Sequence, residues 1–173
     1  FARVDGHYGG IYLWKDLAAA RTWFSPQWFE RVRKERGAPA NVRVFEVLLA
    51  LDNNPGGTPA NSDSSAVATI VEIPMPAGTD KEQLAREVAA AAAEFQNVPG
   101  LLRKYFTTSA EGKFGGIYLW KDEASASAWF THSWRDEILK KYGQPASLEW
   151  FDTPILMPGK EGNGVWVKGG NPL

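Results

Sequence analysis

The residues with the clearest chemical potential lie in two neighbouring predicted strands in the second half of the chain. Lys104 shares one face of the first strand with Phe106. Tyr118 and Trp120 share one face of the next strand. A lysine that faces a cavity lined by tyrosine and tryptophan could stabilise an oxygen anion. Alternatively, the Lys104 side chain extends to solvent at the rim of the sheet, and the sequence leaves both interpretations open.

Other residue patterns typical of catalysis or metal binding do not occur in the sequence. The chain has no cysteine and two histidines, His7 and His132, so thiolate nucleophiles and disulfides are excluded and no metal site is expected. Glycine-rich nucleotide motifs and the GxSxG nucleophile motif are absent. Asp16 and Asp122 each open a predicted helix, where aspartate is typical of an N-cap. We therefore predict a protein without a cofactor.

The composition of the 173-residue chain is that of a globular protein. Apolar residues make up 44% and charged residues 23%, with a formal net charge of −1 and a pI of about 6.2. This charge balance gives no electrostatic reason to expect nucleic acid or an anionic membrane as a partner. No apolar run approaches the ~20 residues of a membrane-spanning helix. We expect a cytoplasmic protein, although a signal peptide upstream is left open.

An internal duplication organises the sequence. The octapeptide GGIYLWKD occurs at Gly9–Asp16 and again at Gly115–Asp122. Alignment of residues 9–50 with 115–156 gives 18 identities in 42 positions. The chain therefore contains two copies of one folding unit.

The second copy is predicted to follow the order β-α-β-β-α-β. Its first segment, AVATIVEIP, is rich in β-branched residues, and Asp80 precedes an alanine-rich helix with an apolar stripe. This order is typical of ferredoxin-like units. The predicted elements are strand 66–74, helix 81–96, strands 101–108 and 114–120, helical segments within 122–142, and strand 148–156.

The fold class that we predict is α+β, with tandem ferredoxin-like β-α-β-β-α-β units that form an intrachain dimeric α/β barrel. The first unit is N-terminally incomplete, because it aligns only from the end of its second strand, and about 40 residues would complete it. The alternative is that another chain supplies the pairing. The predicted divisions are 1–51 for the partial first repeat, 52–65 for a flexible linker, 66–158 for the second repeat and 159–173 for a glycine-rich tail.

The predicted pocket lies between the bare faces of the two sheets. Aliphatic side chains pack well under helices, so we assign Ile117 and Leu119 to the helix side. Tyr118 and Trp120 would then point between the sheets, together with their counterparts in the first copy. The candidate catalytic residues are Lys104 and Tyr118, and the candidate substrate-binding residues are Tyr12, Trp14, Phe106, Trp120 and Trp150.

The segment Val98–Phe130, VPGLLRKYFTTSAEGKFGGIYLWKDEASASAWF, resembles the YdhR-like monooxygenases of the dimeric α/β-barrel superfamily. The resemblance rests on Pro99-Gly100, Lys104, the aromatic Phe106 and the run from Gly115 to Leu119 with Asp122. It covers residues 66–157 and, in part, 6–50. The tandem fusion departs from the common family form, because one chain would make the barrel that two chains usually make.

The resemblance implies three functions. The first is oxidation of a hydrophobic aromatic substrate, such as a quinol or a polyketide-like ring, without metal or flavin. The second is a non-catalytic module that binds a hydrophobic aromatic ligand in the same cavity. The third is a haem-handling protein, in which His132 would be the ligand. As partners we expect a small hydrophobic aromatic molecule, no nucleic acid and no membrane, with a pseudo-dimer inside the chain and a further homodimer left open.

Overall fold

The structure, a computed structural model, describes residues 1, 6–54 and 66–153. Residues 55–65 of the predicted linker and the whole predicted tail, 159–173, lie outside the described residues. The elements are α1 (Leu17–Trp23), α2 (Pro26–Arg36), β1 (Phe45–Asp52), β2 (Val67–Pro74), α3 (Lys81–Phe95), β3 (Leu101–Ser109), β4 (Lys113–Trp120), α4 (Glu123–Trp129), α5 (His132–Tyr142) and β5 (Ser147–Asp152).

The chain divides into two compact units. Of the described residues, 1, 6–9, 45–54 and 66–153 belong to the larger unit, and the smaller unit is Gly10–Val44. The divisions therefore fall at other positions than the predicted repeat boundaries, and β1, which belongs to the first copy by sequence, is part of the larger unit. The boundaries of the duplicated repeats stay a prediction about the sequence.

The larger unit is an α+β ferredoxin-like fold, as predicted for the second copy. Its elements β2, α3, β3, β4, α4–α5 and β5 follow the order β-α-β-β-α-β. The sheet has the order β1-β3-β4-β2-β5, and every neighbouring pair is antiparallel. Strand β1 adds a fifth strand beside β3, with Phe45 opposite Ser109.

Strand β2 lies near the centre of this sheet and is buried on both faces. It is rich in β-branched residues, which pack well on a pleated surface, and all residues from Val67 to Ile73 are buried. Side chains alternate between the faces, so Val71 packs on the helix side and Ile70 on the opposite side, in a cluster with Phe151 and Phe1. This second cluster includes the edge-to-face pair of Phe1 and Phe151, whose centroids are 4.6 Å apart.

The predicted helix caps are confirmed. The Asp122 carboxylate accepts a hydrogen bond from the Ser125 backbone N–H at 2.8 Å, and Asp80 caps α3 in the same way. Gly143 ends α5 in the left-handed conformation, with φ of 70°. Asp122 is therefore a capping residue, as the sequence predicts.

The first copy of GGIYLWKD does not form a strand. Residues 9–14 have no regular secondary structure, whereas β4, which contains the second copy, is hydrogen-bonded to β2 on one side and to β3 on the other. The duplication implies that the first octapeptide is a strand like the second. The structure does not form this strand, because strand hydrogen bonds require partner strands. Among the described residues, none forms a strand ladder with 9–14.

Gly115 allows β2 and β4 to approach closely, and a side chain at this position is therefore expected to destabilise the fold. A Cβ atom at Gly115 would overlap the carbonyl oxygen of Val71, so Gly115→Ala is expected to lower the free energy of unfolding by about 1–3 kcal/mol. The matched control is Gly9→Ala in the identical octapeptide. There a Cβ would meet the movable Phe1 ring at 3.1 Å, and we expect a change within about 0.5 kcal/mol. Urea unfolding of both variants tests this, and equal losses would contradict it.

Candidate functional site

The aromatic side chains of β4 face the helices. Tyr118 and Trp120 are 5% and 0% exposed and belong to the core cluster that contains Ala126 and Phe130, whereas Ile117 packs on the opposite side of the sheet. The prediction that aliphatic residues lie under the helices was wrong. The alanine-rich helices, such as α4 with its fully buried Ala126, supply little side-chain volume, so large rings from the sheet fill this layer.

Lys104 is buried among three aromatic rings on the helix side of the sheet. It lies opposite Tyr118 in the pairing of β3 with β4, and 3% of its surface is exposed. Its Nζ atom lies 3.0 Å from the centroid of the Phe95 ring, 3.9 Å from that of Phe106 and 4.6 Å from that of Tyr118. The structure therefore excludes the alternative in which Lys104 reaches solvent at the sheet rim. We name this group, Lys104 with Phe95, Phe106 and Tyr118, the Lys104 box.

Gly116, two residues before Tyr118 in β4, allows the side chains of Lys104 and Tyr118 to lie close to the sheet. A Cβ atom at Gly116 would lie 3.2 Å from Cε2 of Tyr118 and 3.4 Å from Cε of Lys104. The strand therefore presents bare backbone beneath the lysine stem and the phenol ring, and both side chains lie close to the sheet.

Burial changes the acid–base properties of both polar members of the box. Burial lowers the pKa of Lys104 well below its ordinary value of 10.5, and the negative charge of Glu94 opposes this shift only in part. Burial raises the pKa of the Tyr118 phenol, and Tyr142 adds to the increase. Lys104 is therefore shifted towards a neutral amine that can accept a proton, and Tyr118 remains a protonated hydrogen-bond donor.

The lowered pKa of Lys104 predicts a dependence of stability on pH. The unfolded chain binds the proton up to about pH 10.4, whereas the folded chain releases it at lower pH. The free energy of unfolding should therefore rise as the pH increases between the folded and the unfolded pKa of Lys104. Urea unfolding across this interval, compared with Lys104→Met, measures the effect. The same slope in both proteins would contradict the prediction.

The box continues into a larger cluster of aromatic rings on the helix side. Tyr118 and Trp120 are stacked with centroids 5.8 Å apart, and Phe130 meets both rings edge-on. Phe130 also lies 6.1 Å from Trp150. The structure thus brings Lys104 together with four predicted aromatic site residues, which are Phe106, Tyr118, Trp120 and Trp150.

Sequence reasoning missed three members of this cluster, Phe95, Trp129 and Phe130. Phe95 belongs to the apolar stripe of α3, which also contains Leu84, and this stripe indicates only that the helix packs on the sheet. Trp129 and Phe130 recur in the first copy as Trp23 and Phe24, and this recurrence indicates only that both copies pack alike. The available signal was that a short alanine-rich helix ends in two large aromatic residues.

Tyr12 and Trp14, the remaining candidates, belong to the smaller unit. Their rings are stacked with centroids 6.0 Å apart, and Phe24 meets both rings edge-on. This repeats the arrangement of Tyr118, Trp120 and Phe130 without a strand beneath it. Tyr12 is 56% exposed, so within its unit it does not form an enclosed wall.

The last residue of β1, Asp52, and the residue after it, Asn53, hold the backbone next to the Lys104 box in place. The Asn53 side-chain amide donates to the carbonyl oxygens of Phe95 at 2.8 Å and Leu101 at 3.2 Å. One residue earlier, Asp52 accepts a hydrogen bond from Nε of Arg103 at 3.1 Å. These bonds tie the last residue of α3 to the sheet, so the backbone of Phe95 has a fixed position.

The sequence raises the questions of a metal site, a haem ligand and a membrane-spanning helix, and the described residues bear on each of them. No group of three or more His, Asp or Glu side chains there could hold a metal ion. His132, on which a haem role depends, opens α5 with an exposed side chain. Within the same residues, no helix has the length and apolar character needed to cross a bilayer.

Comparisons with known proteins agree with the fold and with the resemblance in sequence. Residues 70–146 match the family model described as putative mono-oxygenase ydhR, a range that includes the whole Lys104 box. No curated protein matches the chain.

Two solved structures with TM-scores above 0.5 share the fold of this chain. A putative monooxygenase from Fusobacterium nucleatum is 18% identical with a TM-score of 0.55, and the match covers 88% of this chain and 70% of that protein. One from Lactobacillus acidophilus is 10% identical with a TM-score of 0.52, over 88% and 71%. A ferredoxin-fold protein from Listeria monocytogenes, related to antibiotic biosynthesis monooxygenases, is 18% identical with a TM-score of 0.47, over 68% of each chain. The predicted resemblance is confirmed by the family model, since residues 70–146 match the ydhR family of putative mono-oxygenases.

Proposed function

We propose that this protein is a mono-oxygenase that oxidises a hydrophobic aromatic substrate, a quinol or a polyketide-like ring, at the Lys104 box without a metal or flavin. The observation that carries the proposal is the placement of Lys104 Nζ within 3.0–4.6 Å of three ring centroids. A buried amine with a lowered pKa inside an aromatic cluster is a candidate general base beside a surface that suits an apolar ring.

The proposed reaction assigns a role to each polar group of the box. Neutral Lys104 takes a proton from the substrate, and the ammonium that forms lies beside the substrate anion. The anion supplies its electrons to molecular oxygen. One oxygen atom enters the ring system as a carbonyl and replaces two hydrogens. The other leaves as water, which takes back the proton held by Lys104, so the substrate itself is the reductant and the amine is neutral again. The Tyr118 hydroxyl donates a hydrogen bond to the negative charge on oxygen.

Oxygen consumption with a panel of hydroquinones and hydroxylated polycyclic arenes tests this function. We expect Tyr118→Phe to lower kcat by about 10- to 100-fold, because the ring stays in place and one donor to the anion is lost. The matched control is Tyr105→Phe, which removes the hydroxyl of a partly exposed side chain on the opposite face of β3 and should leave kcat unchanged. Absence of turnover in the unchanged protein, or equal rates for all three proteins, would overturn the proposal.

A non-catalytic binding module for a hydrophobic aromatic ligand is the second candidate. The observation that favours it is the aromatic lining of the box, because three rings with centroids 3.0–4.6 Å from Lys104 Nζ suit an apolar ligand whether or not a reaction follows. Native mass spectrometry after incubation in air distinguishes the two functions. A ligand recovered without change favours binding alone, and a ligand whose mass has risen by one oxygen atom less two hydrogen atoms supports oxidation.

Two further features of the proposed protein rest on its sequence. The duplication is the reason to propose that the two copies pair as a pseudo-dimer within one chain, in the manner of a dimeric α/β barrel. The second feature is a cytoplasmic location, which stays an expectation from the sequence alone.

A further inference from the structure

Phe95 is the outermost ring of the Lys104 box. It is partly exposed, whereas Phe106 and Tyr118 are each 5% exposed. Its ring contacts Lys104 Nζ, and its centroid lies 5.5 Å from that of Phe106 and 5.3 Å from that of Trp129. Asn53 fixes the carbonyl group of Phe95, so the ring can leave the box by rotation of its side chain while the helix stays in place.

Trp129, whose ring lies beside that of Phe95, carries a buried hydrogen-bond donor. Its Nε1 atom is inaccessible to solvent and has no hydrogen-bond partner among the described residues. The indole of Trp120 in the same cluster is satisfied, since it donates to Thr69 Oγ1 at 3.1 Å. An indole N–H can only donate, and a buried donor without an acceptor is rare and costly. The unmatched atom therefore requires an acceptor that the described side chains do not supply.

We propose that the Phe95 ring occupies the position of a ligand's aromatic ring, and that Trp129 Nε1 donates a hydrogen bond to an oxygen substituent on that ring. The ligand class is a planar arene that carries a hydroxyl or carbonyl oxygen, and Trp129 selects it over a pure hydrocarbon. The inference rests on the site of the proposed function and adds to it a binding residue and the chemical group that this residue recognises.

The charges around the box favour the same class of ligand. The amine of Lys104 already lies against three ring faces, so a cationic ligand would meet a like charge whenever the lysine is protonated. A neutral phenol, a phenolate or a quinone has no such repulsion. The rings of Phe106 and Tyr118 would contact the ligand where they now contact Phe95.

The test uses two probes of similar shape, 2-naphthol and 2-methylnaphthalene, and the full chain with Phe95→Ala, which opens the position of the ring. Dissociation constants are measured without oxygen, and the readout is the ratio of the two affinities. We expect Phe95→Ala to bind 2-naphthol at least about tenfold more tightly than the unchanged protein does, because no ring has to be displaced. Adding Trp129→Phe should lower the ratio by about three- to tenfold, the effect of one hydrogen bond.

The matched control is Phe95→Ala with Trp134→Phe. Trp134 contacts Phe130 at 4.9 Å in the same cluster, and its substitution should leave the ratio unchanged. An unchanged ratio with Trp129→Phe, or no binding of either probe to Phe95→Ala, would overturn the inference. If thermal unfolding shows that Phe95→Ala is unfolded, Phe95→Leu takes its place, and the same loss of ratio with Trp129→Phe is expected.

The outcomes separate this inference from the proposed function. A ratio that depends on Trp129, together with absence of oxygen consumption, supports the binding residue and overturns the mono-oxygenase. Oxygen consumption together with a ratio that does not depend on Trp129 overturns the binding residue and supports the mono-oxygenase.

Discussion

Lys104→Met is expected to reduce oxygen consumption by about 10²- to 10⁴-fold, the usual contribution of a general base, while the protein becomes more stable. Burial of an amine among aromatic rings costs about 1–3 kcal/mol, and the contacts with ring faces return only part of it. Methionine fills a similar volume and makes favourable contacts with aromatic rings. We expect a gain of about 1 kcal/mol in the free energy of unfolding, measured with urea.

Lys104→Arg is the control for charge alone. Arginine keeps a positive charge in the box but is not deprotonated in proteins, so a mechanism that needs a neutral base predicts loss of activity in this variant too. Activity in Lys104→Arg close to that of the unchanged protein would show that a fixed positive charge is sufficient. A large loss of stability in Lys104→Met would show instead that the lysine is a structural residue.

Trp120→Ala is expected to lower the free energy of unfolding by about 3–5 kcal/mol. Trp120 is fully buried, stacks on Tyr118 and donates a hydrogen bond to Thr69. The substitution therefore leaves a cavity in the centre of the helix-side cluster and an unpaired hydroxyl. Since domains are stable by about 5–15 kcal/mol, much of the native stability should be lost.

Trp14→Ala provides a control with the same eight-residue sequence around the substituted position. Trp14 is only partly buried and lies in a segment without a strand ladder, so we expect a loss of at most about 2 kcal/mol. Urea unfolding of both variants measures the difference. Equal losses would show that the two copies have the same environment in the folded chain, contrary to the structure.

The order of the elements in the second copy follows from local properties of the sequence. β-Branched residues predict β2, aspartates at helix starts predict the caps of α3 and α4, and Gly143 predicts the end of α5. These features act within a few residues, so a sequence contains them in full. The same is true of the match to the family, which rests on a contiguous run.

The face of β4 that the helices cover could not be predicted from such local features. Alternation shows that Tyr118 and Trp120 share one face and Ile117 the other, but it does not show which face the helices cover. The helices decide this by their volume, since the small Ala126 leaves room that the aromatic rings of β4 occupy. Phe95 was missed for a related reason, because its contact with Lys104 joins residues of different elements.

The sequence by itself determined the duplication, the β-α-β-β-α-β order of the second copy, and the presence of Lys104 and four of its aromatic neighbours on alternating strand positions. Only the tertiary structure decided that this lysine is buried beneath Phe95 and that one copy of GGIYLWKD is a strand while the other is not. The physical reason is that caps and turns are local interactions. Strand pairing and burial instead depend on partners distant in the chain, here β2 and β3 on either side of β4.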